Sequence, residues 1–264
     1  MRSTMPFPQI LKIWSTLWIV RNENGRCVMK TGSLCGLSIM FLLLSLLIII
    51  PPPATALERY GQIICSDEGF TCHRVQKGES WESLFPDENQ RAIVMRINRM
   101  NTMLHRNMVI AIPENLKNMD YMQYAPFDHQ IEPIGKKLII VDPAVLAFGA
   151  YDENGSLVRW GPISPGKNYC PDIGSGCRTK SGNFAVYSKG SEYCVSSKFP
   201  VGEGGAPMPY CMFFHGGYAL HASTDVPGYA ASHGCIRMFY EDAEWLSLEF
   251  VEKGTKVVVM PYET

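Results

Sequence analysis

An uncharged apolar block near the start of the chain limits which part of it can form a water-soluble fold. Leu34 to Ile50 hold 17 positions without a charged side chain. The block is longer than the apolar core of a usual signal peptide and slightly shorter than the roughly 20 residues of a membrane span. Pro51 to Pro53 stop a helix, and Ala54-Thr55-Ala56 has the small-residue pattern of a cleavage site. A buried core helix is the weaker interpretation, because the block is uniformly apolar.

The charges before this block predict its orientation. One acid, Glu23, stands there against five basic residues: Arg2, Lys12, Arg21, Arg26 and Lys30. Basic residues stay on the cytoplasmic side, so the rest of the chain is expected outside. Two alternatives stay open for residues 29–56, a cleaved signal peptide or an inner-membrane anchor through residues 34–50. Met29 begins a second signal-like start, so residues 1–28 are either native or a non-native upstream extension.

Composition excludes several other classes of protein. The net charge is −1, which gives no polyelectrolyte signal for nucleic acid. Charged residues make up 19% and hydrophobic residues 46%, which excludes wholesale disorder. We therefore expect an exported, folded protein of the periplasm or cell envelope, whose only membrane contact is the apolar block.

The cysteines after the apolar block are odd in number. There are seven: Cys65, Cys72, Cys170, Cys177, Cys194, Cys211 and Cys235. In an oxidising compartment the unpaired one is of particular interest. Pairing sequence neighbours gives Cys65–Cys72, Cys170–Cys177 and Cys194–Cys211 and leaves Cys235 alone. Six cysteines allow about 15 pairings, however, so the connectivity stays open, as does a fully reduced protein.

Residues 57–114 predict a very small α+β unit. A disulfide-pinned lead covers residues 57–72. Residues 73–114 then read as a strand, a helix with Ser80 as its N-cap, a second helix from Gln90 to Asn98, and a closing strand "MVIAIP". The stretch "VQKGESWESL", an asparagine at Asn98 or Asn101 and the final "IAIP" resemble a LysM module. That resemblance implies binding of peptidoglycan glycan strands, with a non-binding spacer as the alternative.

The rest of the chain is predicted to be mostly β. Residues 115–135 have weak periodicity and read as a linker draped over a domain. From residue 136 to 262, short apolar runs alternate with turns, including a hairpin signal at Asn154-Gly155. A helical pattern appears only from Tyr240 to Gly254, where Gly254 is placed as the C-cap.

The segment "LHASTDVPGYAASHGCIRM" carries the chemistry. A cysteine attacks a carbonyl as its thiolate, and a nearby histidine raises the thiolate fraction. His233 lies two residues before Cys235, and His221 ends the preceding strand. Gly234 permits a tight turn in which the amides of Gly234 and Cys235 point into one cavity, as an oxyanion requires.

"H-A-S…S-H-G-C-I-R-M", together with the upstream "TKSGNFAVYSKG", resembles the L,D-transpeptidases with a YkuD-type catalytic domain. The resemblance implies a mainly β catalytic domain, a β-sandwich or barrel with one or two helices, preceded by the small α+β LysM-like domain. The resemblance also implies the roles of the site residues. Cys235 is the nucleophile, His221 is the general base oriented by the Ala222 carbonyl, and His233 lies beside the thiol. The oxyanion donors are the amides of Gly234 and Cys235 with the Tyr210 hydroxyl, while Ser232 braces the turn and Arg237 supports the site.

The implied reaction is acyl transfer without a metal or organic cofactor. Cys235 forms a thioester with a peptidoglycan tetrapeptide stem, D-alanine leaves, and an amine resolves the thioester. The acceptor amine of another stem gives a 3→3 cross-link, that of a protein tethers the protein to the wall, and water gives L,D-carboxypeptidase activity.

Other interpretations of these residues remain. Cys235 alone is also compatible with an inert buried thiol. A zinc site is the second interpretation, with ligands His215, His221, His233 and Cys235, although their spacing fits no common zinc frame. A wall-binding module with an inert catalytic domain and a cysteine hydrolase of exported peptides are the rival functions. Arg237 is equally compatible with a structural pair to Asp242 or Glu241, and Tyr210 with a core or rim aromatic.

Overall fold

A computed structural model describes residues 58–198 and 206–262. They lie in one compact unit that extends from Thr55 onwards. The predicted signal or anchor, residues 29–56, and the upstream residues 1–28 lie outside the described residues. Within the described ranges no helix combines the length and the apolar character that a membrane crossing requires.

The first part of the described chain is a two-stranded sheet with short helices. Its elements in chain order are α1 (Tyr60–Ile64), β1 (Phe70–Arg74), α2 (Trp81–Leu84), α3 (Glu88–Ile97) and β2 (Val109–Pro113). β1 and β2 are antiparallel, and the Cys65–Cys72 disulfide ties the end of α1 to β1. The predicted order of strand, helix, helix and strand is present. We call residues 58–114 the N-terminal unit.

Local sequence explains these elements. Ser80 caps α2 as predicted, because its side chain accepts from the Ser83 N–H and the Ser83 hydroxyl accepts from the Ser80 N–H. The side chain of Asn98 is buried at the end of α3. It donates to Val94 O and Ala111 O and accepts from the Ala111 N–H, each at 2.8 Å. A buried amide needs such partners, so Asn98 joins α3 to β2.

Residues 115–135, the predicted linker, contact the second part of the chain. They form two 3₁₀ turns, Leu116–Asn118 and Tyr121–Tyr124. Met122, Phe127 and Ile131 then pack beside a small cluster of buried side chains in the sheet that follows.

The second part is built on one nine-stranded sheet. Its strands are β3 (Leu138–Asp142), β4 (Ala147–Tyr151), β5 (Leu157–Ser164), β6 (Gly182–Ala185), β7 (Ser188–Lys189), β8 (Met212–His215), β9 (Tyr218–Ala222), β10 (Ile236–Met238) and β11 (Lys256–Val259). The order across the sheet is β6-β11-β3-β4-β5-β10-β9-β8-β7. The sheet curls so that β6 contacts β8, where the rings of Phe184 and Phe214 lie 5.5 Å apart. The mainly β fold with few helices is confirmed, as is the hairpin turn at Gly155, with φ 79°.

The helix after β10 is shorter than predicted. α4 (Tyr240–Trp245) continues as a π-helical turn, Leu246–Phe250, and the chain is extended from Val251. The predicted C-cap at Gly254 is therefore wrong, since this glycine lies in the turn before β11. Instead, the ammonium group of Lys189 in β7 donates to Ser247 O and, at 2.8 Å, to Val251 O. A side chain from a distant strand thus binds two carbonyls near the end of this helical segment.

A buried charge network joins the N-terminal unit to the sheet. The carboxylate of Asp242 in α4 is fully buried and accepts from Arg96 of α3, at 2.7 and 3.1 Å. It also accepts from Nε of Arg159 in β5, at 2.8 Å. One carboxylate therefore holds two guanidinium groups from two different elements.

Candidate active site

Two neighbouring parallel strands bring His221 and Cys235 to one face of the sheet. In β9 and β10, Leu220 pairs with Ile236 and His221 with Arg237. Leu220 and Ile236 point into the main core, so their neighbours His221, Arg237 and, by alternation, Cys235 face the other side. Strand spacing and rise per residue place the Cα atoms of His221 and Cys235 roughly 8 Å apart. That distance allows an imidazole and a thiol to meet.

Cys235 is the free cysteine among the seven in the described residues. The disulfides join Cys65–Cys72, Cys170–Cys177 and Cys194–Cys211, which is the sequence-neighbour pairing. The thiol is half-buried beside a cluster of Met208, Cys211 and Ala219, and its Sγ lies 3.6 Å from Gly217 O. Burial raises the pKa of the Cys235 thiol, while a backbone hydrogen bond at Ala219 and the charge of Arg237 oppose the change. Burial thus favours the thiol over the thiolate.

His221 is held as a neutral base. Its Nδ1 lies 2.8 Å from Ala222 O, the orienting carbonyl that the sequence predicted. The side chain is buried, and burial lowers the pKa of His221 to about 4, against the opposing effect of the Ala222 carbonyl. A neutral ring that donates from Nδ1 carries its lone pair on Nε2. His221 can therefore accept a proton at Nε2 at neutral pH.

The turn from Ser232 to Cys235 is braced from within. The Ser232 hydroxyl donates to Cys235 O and accepts from the Gly234 N–H at 3.0 Å. Gly234 has φ 124°, and a Cβ there would lie 2.6 Å from the Tyr218 ring, so a glycine is required. The Gly234 amide, predicted to bind an oxyanion, is thus engaged by Ser232. The Cys235 amide stays the candidate donor.

Thr179 holds the same turn from outside and was not singled out from the sequence. Its buried hydroxyl donates to Gly234 O at 2.7 Å and accepts from the Gly166 N–H at 3.0 Å. The Thr179 amide in turn donates to the Tyr262 hydroxyl. The signal was available in "TKSGNF", which lies in the stretch that carries part of the family resemblance.

His233 is linked to the Cys170–Cys177 loop. Its Nε2 lies 2.7 Å from the Asp172 carboxylate, and Asp172 was not anticipated as a partner. This contact is a hydrogen bond when Nε2 carries a proton, and it is also an ion pair when the ring is charged. The contact with Asp172 fixes the position of His233 relative to the turn that carries Cys235.

Two further predicted site residues have partners that the sequence did not indicate. Arg237 donates to the carboxylate of Asp225 and, at 3.2 Å, to Asp225 O, so its suggested pairing with Asp242 or Glu241 is wrong. The hydroxyl of Tyr210 donates to Glu244 at 2.7 Å. Tyr210 is a buried residue of the main core, and the Glu244 hydrogen bond raises the pKa of its hydroxyl. This hydroxyl is not directed to an oxyanion site.

The proposed zinc ligands are not assembled as one set. His215 lies against the ring of Tyr218, with centroids 6.0 Å apart and planes 12° apart. In the described part of the chain, the group of three metal-ligand side chains with atoms within 4.8 Å is Cys170, Asp172 and His233. The sulfur of Cys170 is bonded to Cys177 and is therefore not a thiolate ligand.

Comparison with known proteins finds a match to one family model and a likeness to several solved structures. Residues 136–259 match the family model of the L,D-transpeptidase (YkuD) catalytic domain. Among solved structures, the chain is similar to an L,D-transpeptidase from Xylanimonas cellulosilytica, with 25% identity over 60% of this chain and 74% of that one, at a TM-score of 0.46. It is also similar to one from Stackebrandtia nassauensis, with 21% identity, 53% and 62% coverage and a TM-score of 0.43. For one from Mycobacterium smegmatis the values are 23% identity, 48% and 59% coverage and a TM-score of 0.40. No curated protein sequence matches the chain significantly.

Proposed function

We propose that this chain, which carries an L,D-transpeptidase catalytic domain over residues 136–259, is an exported enzyme that remodels peptidoglycan through Cys235. The domain is that of a cysteine-dependent acyltransferase. The observation that carries the proposal is the free Cys235 thiol on the same sheet face as His221, whose Nδ1 is held by Ala222 O.

The first step is acylation of Cys235. As Sγ bonds to the carbonyl carbon of the third stem residue, Nε2 of His221 takes the thiol proton. The Cys235 N–H stabilises the oxyanion of the tetrahedral intermediate. The carbon–nitrogen bond to D-alanine then breaks, the proton passes from His221 to the departing amine, and a thioester remains.

A neutral resting pair suits this step. Because burial raises the pKa of Cys235 and lowers that of His221, the thiol keeps its proton until a carbonyl arrives. The raised pKa also gives a more nucleophilic sulfur once the proton has moved, since nucleophilicity follows basicity.

The second step is resolution of the thioester by an amine. The amine nitrogen bonds to the acyl carbon, His221 takes a proton from it, and the carbon–sulfur bond breaks to return Cys235 as the thiol. A stem-peptide amine gives a 3→3 cross-link and a protein amine gives a wall-tethered protein. Water in the same position gives carboxypeptidase activity.

Export and wall binding belong to the same proposal. Three disulfides in residues 58–211 support an oxidising compartment, which agrees with the predicted signal or anchor at residues 29–56. The strand–helix–helix–strand order of the N-terminal unit supports the LysM resemblance, and with it a role in binding glycan strands.

The test is acylation of the mature protein by a carbapenem, followed by intact mass spectrometry, together with D-alanine release from a tetrapeptide stem. We expect one adduct and D-alanine release in the wild type and neither in Cys235→Ala. Tyr193→Ala, on an exposed aromatic residue (82% exposed), is the matched control and should keep both. D-alanine release that persists in Cys235→Ala would overturn the proposal.

A further inference from the structure

The loop between the two catalytic residues is held by the N-terminal unit. This loop, residues 223–231, begins two residues after His221 and ends at Ser232, where the turn to Cys235 starts. The sequence predicts a separate binding module for this unit. The hydrogen bonds across the two parts of the chain give it a second role.

Asn101 makes most of these hydrogen bonds. Its side-chain Nδ2 donates to Ser223 O at 2.8 Å, and its Oδ1 accepts from the Val226 N–H at 2.9 Å. The backbone N–H of Asn101 donates to Val226 O at 3.0 Å. Next to it, Met100 forms a β-bridge with Pro227, and the Tyr60 N–H donates to Gly228 O at 2.9 Å. A side-chain amide that satisfies both a carbonyl and an N–H of one loop fixes the loop's conformation.

The part of the loop that Asn101 binds adjoins the groups that orient His221. Ser223, whose carbonyl Asn101 binds, directly follows Ala222, whose carbonyl holds Nδ1 of His221. Asp225 lies between the two bound residues and forms the ion pair with Arg237, the register partner of His221. A shift of the loop would therefore move both the carbonyl that sets the ring's tautomer and the counter-ion of Arg237.

We propose that Asn101 is a positioning residue of the active site, which holds loop 223–231 so that His221 is oriented toward Cys235. The N-terminal unit is thus part of the catalytic apparatus and not only a wall-binding module. Asn101 touches no reacting atom and acts through Ser223 and Val226. This inference rests on the proposed function for its kinetic consequence, while its effect on the reactivity of Cys235 is independent of the substrate.

The test compares Asn101→Ala in the full chain with Asn89→Ala, an exposed asparagine on α3. Three quantities are measured: the rate of Cys235 alkylation by iodoacetamide, hydrogen exchange of residues 223–231, and kcat and KM for D-alanine release. For Asn101→Ala we expect a roughly tenfold fall in the alkylation rate and in kcat, with KM within about twofold, equivalent to about 1.4 kcal/mol of barrier. Exchange of the Val226 amide should be faster. Asn89→Ala should match the wild type.

Asn101→Asp is the second variant, in case the alanine variant folds poorly. It has the same size, keeps the acceptor for Val226 and loses the donor to Ser223, so it should also lower the alkylation rate. Wild-type alkylation and exchange rates in folded Asn101→Ala and Asn101→Asp would overturn the positioning role. A wild type that is alkylated at Cys235 but releases no D-alanine would instead count against the proposed function. The alkylation and exchange results would still decide the role of Asn101.

Discussion

Removing the buried carboxylate of Asp242 should destabilise the whole described unit. This side chain is fully buried and accepts three hydrogen bonds at 2.7 to 3.1 Å from Arg96 and Arg159. Burial alone would lower the pKa of Arg96, yet the adjacent Asp242 charge raises it. In Asp242→Asn the shape is kept, but two guanidinium groups lose their buried counter-ion.

The magnitude follows from burial. Breaking a buried ion pair by removing one partner costs about 3–5 kcal/mol, because a charge is left without compensation. The Arg96 side chain is 8% exposed and that of Arg159 is 19% exposed, so only Arg159 can recover some hydration. We therefore expect a loss of about 3–4 kcal/mol in the free energy of unfolding. Because the network joins α3 to β5 and α4, the unfolding transition should also become less cooperative.

The assay is urea unfolding followed by far-UV circular dichroism, with the disulfides oxidised. Glu241→Gln is the matched control, since Glu241 also pairs with Arg96 but at 3.5 Å and with its side chain 56% exposed. Such an exposed pair contributes about 0–1 kcal/mol. A loss below about 1 kcal/mol in Asp242→Asn, or equal losses in both variants, would refute the argument from burial.

Two other expectations concern the site itself. The pKa of His221 is about 4 in the folded protein and about 6.5 when unfolded, so the folded state binds fewer protons between these pH values. As the pH falls from 6.5 to 4, the wild type should therefore lose about 3 kcal/mol more stability than His221→Gln. Urea unfolding at each pH measures this difference, and equal losses in the two proteins would contradict the expectation. Thr179→Val leaves the Gly166 N–H without its acceptor and should lower the free energy of unfolding by about 1–3 kcal/mol, measured by urea unfolding. The control Thr71→Val, on an exposed strand position, should lower it by less than about 0.5 kcal/mol. Similar losses of stability in the two variants would count against the Thr179 contacts.

The sequence predicted what depends on local chemistry. The N-cap at Ser80 and the turn at Gly155 follow from residues close to one another in the chain, and the structure contains both. The resemblance to the L,D-transpeptidases implied the orienting bond from His221 to Ala222, which the structure contains. The free cysteine followed from parity, because pairing sequence neighbours leaves Cys235 alone.

The sequence did not predict contacts between distant side chains. Arg237 lies near Glu241 and Asp242 in the chain, yet it pairs with Asp225, because the parallel register of β9 and β10 brings loop 223–231 alongside it. Asp242 pairs with Arg96, 146 positions away. Proximity in the sequence does not predict such charge pairs. Any acidic side chain close enough can pair with an arginine, and the fold determines which one is close enough.

The disulfides restrain segments that contact the strands and loops of the site. The disulfides close loops with sequence separations of 7, 7 and 17 residues. The loss of chain entropy in the unfolded state predicts about 2.5 to 3 kcal/mol of stabilisation for each bridge. Two bridges contact the site directly, and the third is linked to it through α1. Cys170–Cys177 closes the loop that carries Asp172, the partner of His233, and Cys194–Cys211 contributes Cys211 to the cluster beside Cys235. Cys65–Cys72 fixes the end of α1, whose first residue, Tyr60, binds loop 223–231. Oxidation therefore restrains three segments that contact the site or its loop, while Cys235, the free cysteine of the described residues, keeps its thiol for chemistry.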